Sequence, residues 1–229
     1  MTPKPWSYTA LDTFKNCPRM YHAKYVAKSV VEPKTEAMVY GERVHKHFED
    51  RQSSGVVLPP ELEKHEPFMA QLDAKPGVLF TEMKSGITTK MQPCHFFDRD
   101  VWVRVIKDWE KLDGKTSTII DYKTGKPHQK VEQLALFALH TFVLNPQVEL
   151  VNAQYYWTMT SSTSKKVWGR AEIPDLWKMF IPHLKQYAEA YQTDIWQPRQ
   201  SGLCKQWCPV LECEFNGKTN GESYGRRSR

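Results

Sequence analysis

The stretch Ile119-Ile120-Asp121-Tyr122-Lys123-Thr124-Gly125-Lys126 constrains this chain most, because two β-branched residues run into an acid, an alternate lysine and a glycine turn. β-Branched residues fit a pleated strand, and successive strand side chains alternate faces at about 3.3 Å per residue. Asp121 and Lys123 should therefore share a face, about 6 to 7 Å apart. A carboxylate able to hold a cation then stands beside a fixed positive charge. Upstream, Trp102 to Glu110 is a second β-rich run, followed by Asp113-Gly114. Asp-Gly between two such runs signals a hairpin. A two-residue Asp113-Gly114 turn would set Leu112 against Lys115 and Asp108 against Ile119, on the face of Asp121 and Lys123. Diagonal neighbours in that ladder lie about 7 to 8 Å apart. Two carboxylates so placed can reach one divalent ion with oxygens about 2.0 to 2.1 Å from it. A three-residue loop would instead turn Asp108 to the other face.

With 229 residues, 40% hydrophobic and 25% charged, the chain can bury a core as one domain, or as one domain with a helical appendage. It shows no charged-then-apolar leader and no apolar run near the roughly 18 residues of a membrane span. A cytoplasmic protein with no membrane partner is expected. A formal net charge of +6 and a pI near 9.0 favour a polyanionic partner. Five cysteines without a secretory signal argue against a disulfide framework and leave metal binding or reduced thiols.

Ser7 can cap a helix carrying Leu11, Phe14, Tyr21 and Tyr25, broken near Cys17-Pro18 by the proline. Glu36 to Asp50 and Pro59 to Leu72 read as further helices. Val78 to Met83, Val101 to Glu110 and Lys115 to Lys123 read as strands. Val131 to Leu144 has a helical apolar stripe, Val148 to Met159 is a strand, and Ile173 to Tyr191 is a closing amphipathic helix. The expected fold is α/β: a central mixed sheet flanked by helices, with N-terminal helices and a C-terminal cysteine-bearing segment. One domain would cover 1–215, with a helical N-terminal region at 1–75, a sheet core at 76–160 and a C-terminal helix and cysteine segment at 161–215. A polar tail at 216–229, basic at Arg226, Arg227 and Arg229, is expected to be disordered.

Taken together the motifs resemble the PD-(D/E)xK nuclease superfamily, most closely its RecB-type exonuclease branch, which includes CRISPR-associated adaptation nucleases and phage recombination nucleases. Ser7-Tyr8-Thr9-Ala10-Leu11 through Phe14, Cys17-Pro18 and Tyr21 is similar to that branch's opening helix. Gly41-Glu42-Arg43-Val44-His45 resembles its metal-binding histidine motif, and Asp108 its first acidic motif. Asp121-Tyr122-Lys123-Thr124-Gly125-Lys126 resembles the acid-x-lysine core, and Gln133-Leu134-Ala135-Leu136-Phe137-Ala138 the glutamine helix that follows it. Val105 stands where the family often has glycine, and Phe137 where it often has tyrosine.

The resemblance implies a restriction-endonuclease-like fold and a metal-dependent deoxyribonuclease. Asp108, Asp121, Lys123, Gln133 and an auxiliary acid, Glu82, would be catalytic. His45, Asp108, Asp121 and the Tyr122 backbone carbonyl would hold Mg2+ or Mn2+, and an imidazole ligand favours manganese. Arg104 and Lys126 would grip phosphate. Cys17, Cys204, Cys208 and Cys213 match the iron-sulfur members of the branch in number though not in spacing, and four thiolates suit a 4Fe-4S cluster or tetrahedral zinc. Uncomplexed thiols remain the third alternative, and Cys94 matches no motif. The implied substrate is single-stranded DNA or DNA ends, in recombination, repair or phage DNA metabolism, with recombination or replication proteins as partners. A binding or assembly module without turnover and a structure-specific endonuclease remain open beside it.

Overall fold

The structure is a computed structural model that describes residues 3–219. In chain order its elements are α1 (Tyr8–Asn16), α2 (Pro18–Tyr21), a π-helical turn (His22–Val26), α3 (Glu36–Ser54), a 3-10 segment (Pro60–His65) and α4 (Glu66–Asp73). Then follow β1 (Val78–Thr88), β2 (Pro93–Cys94), β3 (Val101–Asp113), β4 (Thr116–Lys123), α5 (Glu132–Leu144), β5 (Leu150–Trp157), β6 (Ser162–Gly169), α6 (Ile173–Lys178) and α7 (Ile181–Thr193). They gather into two compact units, Lys34–Met179 and Met1–Pro33 with Phe180–Arg229. Arg226, Arg227 and Arg229 of the expected basic tail lie outside the described residues.

The unit Lys34–Met179 is built on a six-stranded sheet ordered β2-β1-β3-β4-β5-β6. Only β4 and β5 run parallel, joined by the crossover helix α5; the other pairs are antiparallel. This is the mixed α/β, restriction-endonuclease-like architecture expected from the sequence. Strand alternation divides the sheet's two faces. Trp109, Ile120, Tyr122 and Tyr156 bury against Val44 and Phe48 of α3 and Met69 and Leu72 of α4. On the other face, Glu110 and Asp121 bond to Thr141 and Gln133 of α5. Residues Leu134 to Phe142 of α5 are buried without a break, so that helix lacks the polar face of a surface helix.

The sheet departs from the sequence reading at its central hairpin and at its β6 edge. The hairpin turn is Gly114-Lys115, since Asp113 pairs with Thr116 and Leu112 with Ser117. Gly114 has φ of 55°, and a two-residue turn with positive φ at its first central position calls for glycine there. The Asp113-Gly114 frame would place the aspartate at that position. β6 was not anticipated because Ser-Thr-Ser-Lys-Lys-Val-Trp-Gly is a mostly exposed edge strand with a single buried side chain, Trp168.

In the second unit, Ser7 caps α1 through the Ala10 N–H at 3.3 Å, and extended Cys17 (φ −160°) separates α1 from α2. Pro18 opens α2, where no N–H is required. Tyr21 Oη meets Tyr187 Oη at 2.6 Å and Tyr191 Oη at 2.9 Å, tying the first helices to α7. The single helix expected over Ile173 to Tyr191 divides into α6 and α7. Pro182 lies in the first turn of α7, where it is harmless; inside a continuous helix it would lose a hydrogen bond and clash with the preceding turn. Asn216 is buried and donates to the Cys208 and Val210 carbonyls at 3.1 and 2.9 Å, so the hydrogen-bonded cysteine segment extends past residue 215.

Candidate active site

The site forms where β3 and β4 part. Their ladder ends at Trp109–Ile120, and continuing it by one rung would set Asp108 opposite Asp121. Relative to the expected register this is a slip of two residues, which preserves the parity of faces where a slip of one would reverse it. No backbone rung forms there. Asp108 Oδ2 instead accepts the Tyr122 N–H at 2.8 Å. On its other side, β3 pairs Trp109 with Thr81 and Lys107 with Met83 but leaves out Glu82–Asp108. Glu82 has φ of 46°, a left-handed conformation that costs a non-glycine residue about 1 to 3 kcal/mol. The irregularity brings its carboxylate to Asp108.

From α3, His45 Nδ1 approaches Asp108 Oδ2 at 3.4 Å, and the imidazole lies edge-on to the buried Tyr122 ring. One turn earlier, a Cβ on Gly41 would lie 3.2 Å from Thr124 Oγ1, so the glycine lets α3 approach the end of β4. His45, Glu82 and Asp108 bring one ligand atom each within 4.8 Å of one another, the one such group found among the described residues. They line a cavity of about 390 Å³ with Glu42, Lys46 and Glu49.

Asp121 and Lys123 meet Gln133, in the first turn of α5. Gln133 Nε2 donates to Asp121 Oδ1 at 2.9 Å, and Gln133 Oε1 accepts from Lys123 Nζ at 3.0 Å. Lys123 Nζ also stands 2.5 Å from the buried Asp121 Oδ2, forming an ion pair with it. Burial raises the Asp121 carboxyl to about 6; Lys123 opposes that rise and the Asp108 charge adds to it. Burial also raises Glu82, again with help from Asp108. At His45 burial lowers the pKa, but the hydrogen bond and charge of Asp108 outweigh it and the net shift is upward. Two raised acids beside an imidazole that borrows charge mark a site short of positive charge. With ligand atoms of His45, Glu82 and Asp108 converging, these residues fit a divalent cation.

Of the expected ligands, His45 and Asp108 converge with Glu82, while Asp121 faces Gln133 and Lys123. Tyr122 lies between these two residues of β4, with its ring in the core. Arg104 is held by its neighbours: Nε donates to the Phe96 carbonyl at 2.8 Å, and the guanidinium lies 5.3 Å from the Phe96 ring centroid. Lys126 is exposed in the loop after β4. Glu49 was not foreseen; it is one helical turn beyond His45, and the i, i+4 spacing on α3 was the available signal.

In the other unit, Cys17, Cys204 and Cys208 line a cavity of about 250 Å³ with Lys24, Arg199 and Trp207. Cys213 is buried beside Ala23 and Val210. Burial raises the Cys208 thiol, and the charges of Cys204, Cys17 and Cys213 raise it further, so all four thiols lie within electrostatic reach. No three of these sulfurs come within 4.8 Å of one another, wider than the roughly 3.8 Å that tetrahedral zinc with bonds of about 2.3 Å requires.

The mixed sheet, with an acid and a lysine on alternate positions of one central strand, defines the class. Residues 5–109 match the family model of the PD-(D/E)XK nuclease superfamily, the superfamily that the sequence motifs resemble. The matched span includes His45, Glu82 and Asp108; Asp121 and Lys123 lie beyond it. A protein from Eubacterium rectale described as a candidate exonuclease shares the fold at 10% identity and a TM-score of 0.54, over 89% of this chain and 86% of that one. A second structure, SSO0001, aligns at 14% identity over 90% of this chain and 85% of that one, with a TM-score of 0.45. No curated protein matches the chain.

Proposed function

We propose that this protein is a divalent-metal-dependent deoxyribonuclease, an exonuclease of the RecB type acting on single-stranded DNA or DNA ends. The observation that carries the reading is the convergence of His45, Glu82 and Asp108 next to the Asp121–Lys123–Gln133 cluster. His45, Glu82 and Asp108, with Asp121 and the Tyr122 carbonyl alongside, would hold Mg2+ or Mn2+. A bound cation would supply Lewis-acid chemistry there, polarising water and neutralising charge on the phosphate. Lys123 supplies a fixed positive charge to the phosphate oxygens as negative charge builds on them. Gln133 orients Lys123 and Asp121 at once. The roles in recombination, repair or phage DNA metabolism, and any recombination or replication partners, follow from the branch resemblance.

A 4Fe-4S cluster on Cys17, Cys204, Cys208 and Cys213 belongs to the same proposal. It rests on that resemblance and on the gathering of four thiols in one unit, and the family and fold matches lend it no support.

The deciding experiment compares end-labelled linear DNA, circular single-stranded DNA and RNA, each with Mg2+ or Mn2+. Degradation of linear DNA while circles survive is expected, and Asp121→Ala or Lys123→Ala should abolish it while leaving DNA binding largely intact. Cutting of circles would make the protein an endonuclease. Normal degradation by either variant would overturn the site.

A further inference from the structure

Near Lys123 the surface carries a basic cleft. Lys123 Nζ lies 5.4 Å from the centroid of the Tyr155 ring, and Tyr155 lines a second cleft of about 360 Å³. Two exposed segments complete it. The loop between β4 and α5 supplies His128 and Lys130, and the edge strand β6 supplies Lys165 and Lys166. No carboxylate lines this cleft, whereas Glu42, Glu49, Glu82 and Asp108 line the cavity beside His45. The site therefore has one acidic compartment, suited to cations, and one basic compartment, suited to anions.

The basic compartment is a built feature. His128 lies edge-on to Tyr155 and Trp157 with ring centroids 5.4 and 4.8 Å apart, and Trp157 Nε1 donates to Ser164 Oγ at 2.8 Å. The ring contacts fasten the loop to β5, and the hydrogen bond ties β5 to β6. Val131 and Leu134 also line the cleft, flanking in sequence the Gln133 that holds Asp121 and Lys123. The cleft and the reactive cluster thus share the first turn of α5.

Resting on the nuclease reading, we infer that this cleft seats the phosphodiester backbone of the DNA strand adjoining the bond at Lys123, with Lys130, Lys165 and Lys166 contacting phosphates. Tyr155 is 2% exposed and offers no open face for stacking a base. Recognition here runs through backbone charge, which positions a strand without reading its sequence.

The test is the Lys130→Gln/Lys165→Gln/Lys166→Gln variant, with thermal melting to verify its fold. Binding of a fluorescent oligothymidylate is measured by anisotropy in Ca2+ across a salt series, and cleavage in Mn2+. Losing three phosphate contacts should flatten the log–log salt dependence by about 2, at roughly 0.7 per contact on a single strand. Affinity near 0.1 M salt should fall roughly tenfold or more, while the maximal cleavage rate at saturating DNA stays within about threefold. Unchanged affinity and salt slope, or wild-type protein that does not bind, would overturn the inference and leave the lysines as guards of an edge strand. If the wild type binds with the expected slope difference but cleaves nothing, the nuclease reading fails and the cleft stands. If the wild type cleaves DNA and the triple variant binds as well as it does, the cleft falls and the nuclease reading stands.

Discussion

Asp121 is held in a buried place that costs its charged form more than its neutral one, and burial lifts its carboxyl from 3.8 to about 6. The folded state then binds the proton more tightly than the unfolded state does. Stability from this group is complete below pH 4 and is lost as pH rises through about 6. In metal-free protein at pH 7.5, Asp121→Asn should therefore raise the melting temperature, by about 1 to 3 kcal/mol of added stability. A lower melting temperature in calorimetry would show that the Lys123 pair outweighs burial. The same carboxylate was legible at residue scale, because an acid after two β-branched residues and before an alternate lysine can hardly avoid a shared strand face. Glu82 was less legible as a ligand: its role depends on a left-handed backbone and a missing rung, which no local pattern in Phe-Thr-Glu-Met-Lys announces.

At the scale of elements, α5 is anchored through a buried polar cluster as well as through apolar packing. Lys107 and Glu110 of β3 form a fully buried ion pair. Thr141 Oγ1 accepts from Lys107 Nζ at 2.9 Å and donates to Glu110 Oε1 at 2.7 Å, and Ser117 Oγ donates to the same oxygen at 2.8 Å. The cluster joins β3, β4 and α5, the three elements that carry Asp108, Asp121 and Gln133. Lys107 is fully buried, and burial lowers its pKa against the opposing pull of Glu110. Lys107→Met alone should cost about 3 to 5 kcal/mol by stranding the Glu110 charge, and Lys107→Met/Glu110→Leu should recover most of that loss. Urea denaturation of both variants checks this, and a double variant no more stable than the single one would contradict it.

At the scale of the whole molecule, the unit that contains four of the five cysteines takes its helices from both ends of the sequence, with Cys17 from one end and Cys204, Cys208 and Cys213 from the other. A cluster held by all four would close a very long loop, so its loss should cost folding more than chemistry. Protein purified without oxygen should be brown and contain iron, and removing the iron should lower its melting temperature while folded molecules still cleave DNA. Colourless, metal-free protein of equal stability would end the cluster proposal. Among the described residues no helix is long and apolar enough to cross a membrane. The sequence by itself determined the strand of Asp121 and Lys123, the helix of His45, the glutamine helix and the mixed α/β class, because face alternation, helix caps and apolar periodicity act over a few residues. Only the tertiary structure decided which turn the hairpin takes, that Glu82 joins His45 and Asp108, that Lys107 is buried, and that a basic cleft lies near Lys123. Each of these depends on residues far apart in the chain sharing one volume, where burial and charge are set by neighbours that no local pattern names. The Asp121–Lys123 pair was a pattern on one strand, and the fold gathered an acidic cavity and a basic cleft near it.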